Sequence, residues 1–144
     1  MRKERLQTED IMAMGVGLHY PFAFNRYMTA RQKAVLHKIP EVNILLERSF
    51  GVLLYVEDLI EICGLAGISR KDSKLFRHYE FLSHQQQMRL KNDFILGFEK
   101  LGYSKENICP LFHYIAYTAC ETLKKEYVAA SVKRYIKQAE QLMF

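Results

Sequence analysis

Glycine, proline and cysteine are all scarce in this chain, and each scarcity excludes something. Seven Gly and three Pro in 144 residues are too few for the many tight turns of a β-sandwich or barrel, and favour long helices. Three cysteines, Cys63, Cys109 and Cys120, form no CxxC spacing and leave one over in any pairing. A reduced, cytoplasmic chain is the expectation. Long apolar runs are missing too: the run from Val52 to Val56 is far below the ~20 residues that a membrane span requires. The opening run Met1-Arg2-Lys3-Glu4-Arg5-Leu6 then turns polar and carries no apolar core of a signal peptide. No phosphate loop, nucleophile elbow, zinc-protease helix or catalytic pair of carboxylates is recognisable, so no enzyme and no cofactor are expected.

What remains is a globular composition, 49% apolar and 26% charged, of a length that fits one domain over 1–144 with its own core. Helical periodicity is clearest late in the chain. From Ile108, apolar residues fall at 108, 111, 112, 115, 116, 119, 120 and 123, with Ser104 as a candidate cap and Pro110 near the start. A second stripe runs Val128, Val132, Tyr135, Ile136, Ala139, Leu142 and Met143, roughly opposite the first if one helix carries both. Either the chain turns within 124–131 or one long helix changes its packing partner. A face switch of this kind suits a homodimer built on the C-terminal helices, 104–144.

Upstream, Ser83-His84-Gln85-Gln86 has the form of a capping box and opens a helix with Leu90, Phe94, Gly97, Phe98 and Leu101 on one face, closed by Gly102. Thr29-Ala30-Arg31-Gln32 has the same form before a short helix that must end near Pro40, and Pro40 begins the next one. Thr8 caps a first short helix that ends at Gly15-Val16-Gly17. The stretch 50–56 reads as a buried strand or a buried helical turn, with helix favoured because no second strand is evident to pair with it. The expected fold is therefore an all-α, compact single-domain bundle of five to seven helices.

Charge is segregated along the chain. Residues 11–40 carry Arg26, Arg31, Lys33 and Lys38 and no acid, whereas 41–65 set five acids against Arg48 alone. Residues 66–91 are basic again, through Arg70, Lys71, Lys74, Arg77, Arg89 and Lys91 against Asp72 and Glu80, and so are 124–137. Such stripes favour a polyanionic partner; the alternative is a solvated surface with ion pairs between acidic and basic helices.

The segment 56–79 has the form of a helix-turn-helix unit: a helix, a glycine turn and a second helix capped by Ser69, with Asp72 supporting its dipole. Ile62, Ile68 and Phe76 supply the shared core, and Cys63 and Ala66 are small where the helices touch. The run Ala66-Gly67-Ile68-Ser69 is similar to the Ala-Gly-Val-Ser turn of many bacterial helix-turn-helix regulators. It departs from that pattern at Ser73, where an aliphatic residue is usual, so that Leu75 and Phe76 must provide the packing. The resemblance implies that Arg70, Lys71, Lys74, Arg77 and His78 meet phosphates and guanine edges in the major groove of double-stranded DNA. A DNA-binding transcriptional regulator is the first expectation; a helical adaptor, chaperone or immunity-type protein with a protein partner is the second, supported by six Met and the reversed C-terminal stripe.

Two weaker groupings complete the reading. Tyr20, Phe22, Phe24 and Tyr27, followed by Arg31 and Lys33, either stack on single-stranded nucleic acid or anchor an irregular N-terminal segment to the core, with the anchor preferred. Cys109 and His113 share a helix face, but no third ligand stands at a recognisable spacing, so a buried Cys109 beside a partly buried His113 is expected and no metal. Glu57, Asp58 and Glu61 read as the solvated start of a helix.

Overall fold

A computed structural model describes residues 7–143; the opening run read for a signal peptide, residues 1–6, and Phe144 lie outside the described residues. The chain is all-α. Its helices are α1 (Thr8–Gly17), α2 (Pro21–Gln32), α3 (Pro40–Leu45), α4 (Val56–Leu65), α5 (Arg70–Leu75), α6 (His84–Lys100), α7 (Lys105–Thr118) and α8 (Lys125–Met143). Three 3₁₀ turns follow α3, α5 and α7, at Glu47–Ser49, Phe76–Phe81 and Ala119–Glu121. The eight α-helices among the described residues exceed the five to seven expected.

Local signals set most boundaries. Ser83 Oγ accepts from the Gln86 N–H while Gln86 Oε1 accepts from the Ser83 N–H, the reciprocal box that starts α6. At α1 the cap is Gln7 rather than Thr8, with its N–H donating to Asp10 Oδ2 at 2.7 Å. Two expectations fail around α2. Pro21 at the first position starts a helix through the aromatic segment, so those rings do not sit on an irregular strap, and Thr29-Ala30-Arg31-Gln32 is its last turn rather than a new box. Ala23, Tyr27 and Ala30, at offsets 0, 4 and 7, are the buried stripe that decides it. Pro110 falls at the sixth position of α7, one turn further in than expected, and forgoes a bond to the Glu106 carbonyl on the exposed side.

Two apolar clusters lie side by side. The larger joins Val42, Leu46, Leu59, Ile62, Phe76, Phe94, Phe98, Ile108 and Phe112; the smaller joins Ala13 and Val16 of α1, Ala23, Tyr27 and Ala30 of α2, and Val128 of α8. Within the smaller one, Asp10 Oδ1 accepts from the Tyr27 hydroxyl at 2.5 Å and from Arg31 Nε at 3.0 Å, all three residues being buried. Burial, reinforced by that carboxylate, pushes the Tyr27 phenol above its ordinary range.

Between the clusters runs the stretch expected to be helical. Residues 52–55 are extended and fully buried, and Tyr55 makes an isolated parallel bridge to Leu123. Leu53 enters the larger cluster while its neighbours Val52 and Leu54, and Tyr55 with them, enter the smaller; the reversal at Leu53 is what extended backbone produces. Its backbone groups find partners one at a time: the Leu53 N–H donates to the Tyr114 hydroxyl at 3.0 Å, and the Leu54 carbonyl accepts from the Leu123 N–H at 3.1 Å.

That bridge also settles the C-terminal half. The chain turns at 119–124, just before the interval in which a turn was expected, and α8 starts afresh at Lys125 instead of continuing α7. Tyr114→Phe keeps the ring but leaves the buried Leu53 N–H without an acceptor. Urea unfolding is expected to show a loss of about 1–3 kcal/mol with an unchanged m-value.

Candidate nucleic-acid interface

The joint between α4 and α5 is built as its residues dictate. Gly67 adopts φ +78°, the Ile68 N–H donates to the Cys63 carbonyl at 3.1 Å, and the Gly67 N–H donates to the Gly64 carbonyl at 3.0 Å. These bonds satisfy the last carbonyls of α4 in the Schellman arrangement and turn the chain sharply. Ser69 then caps α5 by accepting from the Asp72 N–H at 3.1 Å. Ile62, Ile68 and Phe76 are buried beneath the joint, as the sequence implies. Ser73 is buried as well: its hydroxyl donates to the Ser69 carbonyl at 2.8 Å, so a short polar side chain sits where the regulator pattern carries an aliphatic one. Burial beside it pushes the Cys63 thiol up to about 12, which keeps it protonated at neutral pH.

Helix α6 lies across this joint. A Cβ at Gly97 would stand 2.0 Å from the Ala66 carbonyl oxygen, so the approach is closer than any side chain allows. At the other end of the contact, Arg89 Nη1 meets Asp72 Oδ2 at 3.0 Å and Asp93 Oδ2 at 3.7 Å. Both partners are largely solvated, so the pair orients Arg89 beside α5 more than it stabilises the fold.

The five cations named from sequence separate into two groups. Arg70, Lys71 and His78 are exposed and Lys74 is half-buried; none of the four forms an ion pair among the described residues. Arg77 is turned inward. Its Nη2 donates to the Thr122 carbonyl at 3.1 Å, and its Nε is buried without a hydrogen-bond partner. The cause is that α5 ends at Leu75 and His78 has non-helical backbone angles, so a face extrapolated from 70 to 78 at helical pitch does not exist.

Arg77 instead borders a mixed groove of about 700 Å³ with Arg26, Phe22, Phe81, His113 and Tyr117. Of the early aromatics, Tyr27 is buried, Tyr20 and Phe24 are half-buried, and Phe22 alone is exposed into this groove. Glu121 engages Arg26 at 2.5 Å, which leaves the groove with little net charge. His113 is exposed rather than partly buried, and Cys109 is half-buried.

The acids at the start of α4 are not simply solvated, because the start of α8 comes to them from far along the chain. Glu57 accepts from the Lys125 N–H at 3.1 and 3.3 Å, capping α8. Asp58 is buried 3.8 Å from Lys125 Nζ, which also lies over the Tyr55 ring. Burial outweighs the lysine and raises the Asp58 carboxyl from 3.8 to about 6. No family model matches this chain, and neither curated proteins nor solved structures include a match to it.

Because folded Asp58 holds its proton to a higher pH than unfolded Asp58, stability falls as pH rises from about 4 to about 6 and is level above, by up to about 3 kcal/mol. Asp58→Asn is expected to lack that fall. Denaturant titrations of both proteins at pH 4 and pH 7 read the difference directly.

Proposed function

We propose that this protein binds double-stranded DNA through α5 and acts as a transcriptional regulator. The observation that carries the reading is the exposed pair Arg70 and Lys71, with half-buried Lys74 beside them, on a capped helix, with none of these cations engaged by a carboxylate among the described residues. Unpaired cations on a fixed frame can exchange counterions for phosphates without first breaking internal bonds. Arg89, on the flank of the same surface, is held by Asp72 and Asp93 and is not one of these unpaired cations. α5 has only six residues, so its N-terminal turn is the part that reaches base edges, while Arg77 serves the fold.

A second reading, a helical module that binds a protein partner, is favoured by a different surface. Ile11, Met14, Leu18, Tyr135 and Ile136 are exposed around an apolar groove of about 470 Å³ between α1 and α8. Clustered exposure of this kind marks a binding surface more often than scattered apolar residues do.

Duplex binding measured by fluorescence anisotropy across a salt series tests the first reading. Affinity is expected to fall steeply with salt. Arg70→Ala with Lys74→Ala is expected to weaken binding at low salt by about ten-fold or more and to flatten the log–log salt slope by about 2, with an unchanged melting temperature. Duplex affinity that the double substitution leaves untouched overturns the assignment of α5.

A further inference from the structure

The first half of the apolar stripe on α8 is covered and the second half is not. Val128 is fully buried and Val132 half-buried against α1, where the approach is so close that a Cβ at Gly15 would lie 2.5 Å from Val132 Cγ2 and 2.8 Å from Val128 Cγ1. Beyond that crossing, Tyr135 is 58% exposed, Ile136 48% and Leu142 89%. The nine residues from Tyr135 to Met143 extend about 13 Å past the point where α1 holds the helix. The side chain of Met143 lies outside the described set.

We propose that this free end of α8 docks into the α1–α8 groove of a second copy of the same chain, and reciprocally. Positions 128, 132, 135, 139 and 142 follow the four–three spacing of a helix-pairing seam, so the stripe already used against α1 continues in register into the uncovered half. The residues flanking the seam, Ser131, Ile136 and Gln138, carry no charge. Lys133, Arg134, Lys137 and Glu140 lie more than about 100° around the helix from the centre of the stripe. Two copies of a chain of net charge +5 therefore meet here without bringing like charges together.

The receiving groove matches that ridge. Its walls are Ile11, Met14, Leu18, Phe24 and the Val132–Tyr135–Ile136 face of α8, with no charged residue among those that line it. A groove without charge does not select an acidic or basic partner, whereas an uncharged apolar ridge is present on the chain itself. Ridge and groove adjoin on one surface, which is the self-complementary arrangement that a two-fold axis requires. A stable dimer buries about 800 Å² per partner, more than one short helix end supplies, so both the ridge and the groove of each copy take part. The inference rests on the apolar face of the second reading and is independent of the DNA reading.

Sedimentation equilibrium over about 1–100 μM reads the outcome. A dimer is expected for the native chain. Tyr135→Glu with Leu142→Glu, both at exposed positions, is expected to give a monomer with the same far-UV spectrum. Lys133→Glu with Lys137→Glu, on the opposite face, is expected to remain dimeric. A native chain that stays monomeric throughout that range, or a Tyr135/Leu142 double variant that stays dimeric, overturns the proposal. The Arg70/Lys74 double variant is expected to remain dimeric, so loss of DNA binding and loss of self-association are read separately.

Discussion

An extended stretch of four buried residues in an otherwise helical molecule is the constraint on which the rest of the fold depends. Residues 52–55 have no sheet to lie in, so every buried N–H and C=O they present must be met by an individual partner. Ser49 meets both groups of Val52, and the other partners come from α7, through the Tyr114 hydroxyl, and from the link before α8, through Leu123. Satisfying the stretch thus fixes where the last third of the chain must pass. Because Leu53 goes to one side and Val52, Leu54 and Tyr55 to the other, the same stretch lies between two clusters, with α1, α2 and the base of α8 on one side and α3, α4, α6 and α7 on the other.

From that division the two candidate surfaces follow. The larger cluster holds α4 and α6 against each other at Ala66 and Gly97, and the joint between α4 and α5 has no room to rotate. Arg70, Lys71 and Lys74 are consequently presented by a fixed frame rather than by a mobile arm. On the other side, Glu57 and Asp58 secure only the first residue of α8, and α1 covers only its first half. The rest of that helix projects as a ridge whose orientation is set at its root.

The sequence made legible whatever a few neighbouring residues decide. The box at Ser83 and Gln86, the stop at Gly102, the start at Pro40 and the cap at Ser69 all occur where their residue types place them, since each depends on bonds within one turn. Where two local signals competed, the sequence misled. Thr29 and Gln32 have the form of a box, but Pro21 had already begun a helix whose stripe of Ala23, Tyr27 and Ala30 packs on α1. Two-sided burial of 52–55 has no periodic signature that separates it from a buried helical turn. The burial of Asp58 was out of reach for a different reason, since the residue that buries and engages it, Lys125, lies far along the chain. At the candidate interface, the joint was readable and the outward direction of Arg70 and Lys71 followed from it. Arg77 did not follow, because helical pitch fails at His78.

The buried trio of Asp10, Tyr27 and Arg31 limits how this sequence can drift. Loss of either charged member alone strands its opposite charge in a dry interior, a cost of about 3–5 kcal/mol, comparable to the whole stability of many small proteins. Replacing both at once by apolar residues of similar volume avoids the stranded charge and leaves the smaller cost of the Tyr27 hydroxyl and the Gln7 N–H losing their acceptor. Positions 10 and 31 are thus joined by a valley that single steps do not cross, and divergent descendants of this chain should keep both residues or neither.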